Sequence, residues 1–191
     1  MMRVERMARA GSALALVALV GLGCAPDDDA SAAAGGAADR DLAASGAPDG
    51  VPSGAKPAPG DVFRSLDGGE ATFDDLRGNV VVANLWGTWC LPCRDELPEL
   101  VELARIYGGR PVVVLGLAVD SGDVDEIRDF LEEFGVEYPN WTIGMDDAVA
   151  TFGAVGFPTT VMVDPEGWIR KELLGPQTAA SLTAEIEALL P

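Results

Sequence analysis

The sequence from residue 61 onward predicts an α/β layered domain, and three observations carry the prediction. Apolar runs of strand length stand at residues 80–85, 112–119 and 160–163. Between them, apolar side chains recur at helical spacing, and Gly, Pro and Asp clusters separate the two kinds of segment. The region is long enough to bury a core without disulfide staples.

Each element follows in order. Residues 61–65 and 71–73 flank Asp67-Gly68-Gly69, a hairpin signal. Residues 80–85, apolar except for Asn84, suit a central strand. Leu97, Leu100, Val101, Ala104 and Tyr107 fall on one helical face, so a helix starts near Leu91 and stops by Gly108-Gly109. Pro98 bends that helix without ending it. Residues 112–119 form a second buried strand. A helix over 124–134 presents Ile127, Phe130, Leu131 and Phe134, and 145–152 is a shorter helix. Residues 160–163 and 168–173, joined by Asp164-Pro165-Glu166-Gly167, read as an antiparallel hairpin. Leu182, Ile186, Leu189 and Leu190 mark the closing helix. Tyr138, Trp141 and Trp168 read as core or edge residues.

Composition removes several functions. With 13 basic against 31 acidic residues and a net charge of −18, the chain lacks the cations that a nucleic-acid surface needs. It has no histidine, which excludes His-ligated zinc and any catalytic set that uses an imidazole. Chemistry must run on cysteine, carboxylate or backbone.

Residues 1–23 place Arg3, Arg6 and Arg9 before the apolar run of residues 13–22, the order of an export signal. Gly23-Cys24 resembles a bacterial lipobox, which implies lipidation of Cys24 and a membrane anchor, although Gly21 stands where such boxes usually carry Leu. Without lipidation the chain is exported and soluble. Residues 24–60, rich in Ala, Gly, Asp, Pro and Ser, read as a disordered linker ahead of the 61–191 domain. A flexible coil of that length spans roughly 30–36 Å.

The chemistry concentrates in Trp86-Gly87-Thr88-Trp89-Cys90-Leu91-Pro92-Cys93-Arg94. Residues three apart are helix neighbours, so the two sulfurs can join. Cys90 falls where free N–H groups and the helix dipole favour a thiolate, which makes it the candidate nucleophile. Cys93, one turn in, is the candidate resolving thiol. Glu96 lies a further three residues on, where a carboxylate beside a buried thiol can exchange its proton; the alternative is a solvated first-turn acid. Arg94 reads as a thiolate-favouring cation or, more commonly, an exposed helix arginine.

The 86–94 segment, with Val155-Gly156-Phe157-Pro158-Thr159-Thr160 and the following Asp-Pro-Glu-Gly turn, resembles the thioredoxin superfamily, specifically its TlpA/ResA-like branch. The resemblance covers residues 61–191. It implies a central mixed β-sheet flanked by helices, with an N-terminal hairpin and an inserted helix-containing segment. It implies that Pro158 is a cis proline beside the cysteines and that Phe157 offers backbone hydrogen bonds to an extended substrate. Trp89, Leu91, Pro92 and Thr159 complete the candidate substrate surface. Glu96 matches a glutamate of ResA-like proteins. General thioredoxins carry a buried aspartate where this chain has Asn84, so Glu96 would supply that proton relay instead.

The expected activity is extracytoplasmic thiol-disulfide exchange on cysteine-containing proteins, needing no cofactor and no metal. The branch favours reduction, for example of apocytochrome c cysteines, fed by an upstream membrane thiol donor. Two competitors share the fold. A peroxiredoxin-like peroxidase normally has Thr three before its cysteine, where this chain has Gly87. A copper-binding module would use paired thiolates, but related copper carriers add a histidine and a wider cysteine spacing. A purely structural disulfide is the remaining alternative.

Overall fold

A computed structural model describes residues 55–191. Its centre is β4 (Val80–Trp86), all seven of whose residues are buried. Such a strand needs partners on both edges and layers on both faces. β5 (Val112–Val119) pairs with it in parallel and β7 (Thr159–Val163) antiparallel. The parallel pair requires a crossover, supplied by α1 (Leu91–Ile106). α2 (Val124–Glu133) likewise carries the chain from β5 to its parallel neighbour β6 (Asn140–Ile143). α3 (Met145–Phe152) leads to β7, and β8 (Trp168–Leu174) returns against it.

The hairpin of β2 (Phe63–Ser65) and β3 (Glu70–Ala71) joins the far side of β6, and β1 (Lys56–Pro57) pairs with β8. The mixed sheet therefore runs β1-β8-β7-β4-β5-β6-β2-β3. α4 (Ala179–Leu189) closes the chain. Among the described residues no helix is long and apolar enough to cross a membrane.

One face of the sheet packs Val81, Ala83 and Leu85 against Phe63, Phe73, Trp141 and Phe152. On the other, Val80 and Val82 meet Leu100, Leu103 and Tyr107 of the α1 region and Leu182 and Ile186 of α4. Beside the latter, Trp86, Ile127 and Leu131 enclose both cysteines.

The predicted elements form, with three differences. Ordered pairing begins before residue 61: β1 extends the domain into the expected linker, and Ala58 N–H donates to the Gly167 carbonyl. Phe73 lies in a 3₁₀ turn (Phe73–Leu76) rather than a strand. β6 was unpredicted, being four residues long with Asn and Thr among them. α1 continues through Pro98. The expected signal segment, Cys24 and most of the linker lie outside the described residues.

Candidate active site

The Cys90 backbone is extended, with φ −94° and ψ 102°, and caps α1. Its sulfur accepts the Cys93 N–H at 3.3 Å. Pro92 sits in the first turn, where a missing N–H costs no intrahelical bond. This local geometry points a sulfur along the positive end of a 16-residue helix dipole. Cys90 and Cys93 are joined as a disulfide with their Cα atoms 5.3 Å apart. Cys90 is 5% exposed and Cys93 1%, so the first cysteine keeps the larger opening to solvent.

Glu96 is on the buried side of α1, only 2% exposed. That excludes the solvated alternative. One carboxylate oxygen accepts Asn84 Nδ2 at 2.9 Å and the other accepts the Gln177 N–H at 2.7 Å. Burial dominates over both donors and pushes its pKa from the ordinary 4.5 up to about 7. Asn84 Nδ2 also donates to Thr160 Oγ1 at 3.0 Å, which connects β4, β7 and α1 through one amide. Burial, reinforced by the Glu96 charge, pushes the Tyr138 hydroxyl well above its usual range, so that neighbour stays neutral.

The loop before Cys90 is tied to the end of β5. Thr88 N–H donates to Ser121 Oγ and Thr88 Oγ1 to the Ser121 carbonyl, each at 3.2 Å. Trp89 Nε1 donates to the Val119 carbonyl at 3.1 Å, and its ring meets Phe157 edge-on at 5.4 Å. Gly87 is required by this arrangement: a Cβ there would lie 2.6 Å from the Trp89 ring. Trp86 turns inward, stacking on Phe130 and donating from Nε1 to Asn140 Oδ1 at 3.1 Å. Gly116 leaves the space for that bond, since its Cβ would fall 1.8 Å from Asn140 Oδ1.

The Phe157-Pro158 peptide is cis. Phe157 is half-buried and packs against the cluster that contains both cysteines. Leu91 is 71% exposed and Trp89 49%, and Pro92, directly after Leu91, is exposed as well. Two residues absent from the expected surface add to the apolar exposure near Phe157. Val155 lies two residues before it, and Leu174 lies close to Gly156. Val155 opens the Pro158 motif as an apolar residue, whereas Leu174 is distant in sequence and reaches Gly156 only through the pairing of β7 with β8.

Two expectations need correction. Thr159, expected among the substrate contacts, is buried, and its hydroxyl donates to the Gly156 carbonyl at 2.7 Å. Strand pairing draws it inward. Arg94 does not stand free on the helix surface: its guanidinium lies over the Phe130 and Phe134 rings at 5.2 and 5.5 Å. Thr160 and Gln177 were not singled out; Gln177 acts through its backbone, which leaves no side-chain signal. Among the described residues no three His, Cys, Asp or Glu side chains are grouped to hold a metal ion.

The geometry supports reversible exchange between the buried pair and a cysteine presented over an apolar rim. Comparison with known proteins agrees. The AhpC/TSA family matches residues 55–172. Thiol-disulfide oxidoreductase ResA of Bacillus anthracis is 30% identical over 136 residues, covering 71% of this chain and 78% of the relative. The ResA of Geobacillus thermodenitrificans is 33% identical over 134 residues, covering 70% and 76%. Among solved structures, a secreted thiol-disulfide isomerase from Corynebacterium glutamicum has a TM-score of 0.65 at 26% identity, with 75% of this chain and 95% of that one covered. A DsbF homologue from Corynebacterium diphtheriae has a TM-score of 0.65 at 25% identity, with 75% and 97% covered.

Proposed function

Because the chain belongs to the AhpC/TSA family of thioredoxin-like proteins and is a thiol-disulfide oxidoreductase, we propose that it works outside the cytoplasm as a reductant of protein disulfides. The observation that carries this reading is the Cys90-Cys93 pair at the start of α1, under an exposed apolar rim and next to a buried carboxylate. The basic-then-apolar order of residues 1–23 supports export, and Cys24 is the proposed lipid-anchor site. A relative described as secreted supports the same compartment. The proposed clients are apocytochrome c cysteines awaiting haem, with electrons restored by a membrane thiol donor.

In the reduced form the Cys90 thiolate attacks one sulfur of a client disulfide. A Cys90-client bond forms, the client S–S bond breaks, and the second client sulfur leaves as a thiolate that takes up a proton. Glu96 then accepts the Cys93 proton, and the Cys93 thiolate attacks the Cys90 sulfur. The Cys90-Cys93 disulfide forms and the client leaves with two reduced sulfurs. Two electrons pass from this chain to the client. Trp89, Leu91, Pro92 and Phe157 supply the surface against which the client segment lies, and Pro158 lines its end.

Cys93→Ser is expected to accumulate mixed disulfides through Cys90, whereas Cys90→Ser abolishes exchange; an active Cys90→Ser variant overturns the assignment. A redox-buffer titration tests direction. A potential near that of thioredoxin, about −270 mV, supports reduction, and one near that of DsbA, about −120 mV, overturns it. The peroxidase reading loses support at Gly87, because the side chain such enzymes carry there would collide with Trp89.

A further inference from the structure

The connection between β8 and α4 directs three backbone amides inward at alternate residues. Gly175 N–H donates to the Pro158 carbonyl at 2.9 Å. Gln177 N–H donates to Glu96 Oε1 at 2.7 Å, and Ala179 N–H to Glu99 Oε2 at 2.8 Å. Glu96 and Glu99 are three apart and therefore neighbours on one side of α1. The intervening polar groups are satisfied locally. Thr178 and Ser181 exchange backbone-to-hydroxyl bonds of 3.1 Å, and Gln177 Nε2 donates to the Gly175 carbonyl at 2.9 Å. Besides the packing of the buried Ala179 methyl, the segment is thus hydrogen-bonded to the rest of the domain through three pins: the proline loop, the buried carboxylate and a second carboxylate nearer the surface.

The pins are unequal. Glu96 is buried, and its ionised form depends on donors; removing one disfavours the charge. Neither the Gln177 side chain nor its own neighbours hold that N–H in place from the α1 side. Glu99 does, two residues along. We infer that Glu99 is a positioning residue: by pinning Ala179 it holds the 175–179 segment on α1, keeps the Gln177 N–H on Glu96, and links that carboxylate to the Pro158 loop.

The groups that face Glu96 are few. β4 contributes Asn84 with Thr160 of β7 behind it, the segment before α4 contributes the Gln177 N–H, and the segment before β6 contributes Tyr138, whose hydroxyl stays neutral; Cys93 lies one turn back on α1. Loss of the Glu99 anchor therefore acts on Glu96 through the Gln177 donor, and its sign is upward. The effect on exchange rests on the reading of Glu96 as the proton acceptor; the anchoring does not.

The test uses the isotopically labelled full chain. In Glu99→Ala, the Glu96 side-chain carboxyl is expected to titrate higher than in the wild type, and the Gln177 amide to exchange with solvent more than about tenfold faster. Glu99→Gln retains an oxygen for Ala179 and restores both readouts. Unchanged Glu96 titration and Gln177 protection in a folded Glu99→Ala protein overturn the inference. Should that variant not fold, the wild type decides: Gln177 and Ala179 amides opening together, with one protection factor and one denaturant dependence, support a shared anchor, and independent opening overturns it. If Glu96→Gln leaves the pH profile of exchange untouched, the proton-acceptor reading fails while these two readouts stand.

Discussion

The two faces of β4 are equally buried but carry different chemistry. Val81, Ala83 and Leu85 enter a cluster in which Phe63, Phe73, Trp141 and Phe152 pack with ring centroids 5.4–6.5 Å apart. On the other face, Val80 and Val82 are followed by Asn84 and Trp86, whose side chains both make buried hydrogen bonds. The first face holds only volume and apolar area. The second accepts a carboxylate, an amide and a disulfide in the same layer. The lesson is a division of labour within one strand: one side is wholly apolar packing, while the α1 side, apolar at Val80 and Val82, also carries a group whose burial is unfavourable when charged.

The largest effect that would sharpen this comparison is expected from Phe152→Ala. Phe152 is fully buried, and removing its ring leaves a cavity beside the Phe63 and Phe73 rings. A loss of about 3–5 kcal/mol is expected in urea unfolding. The Glu96 titration and the exchange rate per folded molecule should stay at wild-type values. A shift of Glu96 comparable to that of a substitution in its own network would show that the faces are not separable.

Glu96→Gln probes the opposite face, with a smaller and pH-dependent effect. A carboxyl whose pKa rises from 4.5 to about 7 on folding contributes stability that is fully present below 4.5 and is lost as pH rises through 7. A shift of that size corresponds to about 3 kcal/mol between pH 4 and pH 8. The neutral glutamine removes this dependence, so the variant's stability profile should be flatter by roughly that amount. Asn84 can rotate to present its oxygen to the new amide. A profile as steep as the wild type would mean that another group carries the pH dependence.

Much of the fold was legible because its signals are local. The uninterrupted apolar run at β5, the helical spacing of Ile127, Phe130, Leu131 and Phe134 at α2 and the Asp-Pro-Glu-Gly turn before β8 each act within a few residues. The cysteine pair was legible for the same reason, since a helix start and a three-residue spacing define it. β6 was not, because its strand character comes from parallel pairing with β5 rather than from its own four residues. Thr159 shows the same limit from the other side: its position in a motif suggested a surface role, but pairing with Leu85 and Leu174 fixes it inside. The Glu96 network needed three separate segments to meet, and one of its donors is a backbone amide that any residue except proline would supply.

The smallest expected effect comes from Arg94→Gln, and it tests whether the reactive face is tuned by a nearby cation or by burial alone. Arg94 follows Cys93 directly, which invites a role in holding Cys90 ionised. Its guanidinium instead covers Phe130 and Phe134, and Phe130 stacks on Trp86 at 5.4 Å with an interplanar angle of 19°. The cation thus braces the aromatic stack beneath the active-site loop. Its loss should cost about 0.5–1 kcal/mol of stability. The thiolate absorbance of reduced Cys90 should then titrate as in the wild type, because the helix start supplies the stabilisation that the arginine does not. An upward displacement of that titration with unchanged stability would assign Arg94 to the sulfur, and would make charge, rather than the helix terminus and burial, the feature that distinguishes this face of β4 from the aromatic one.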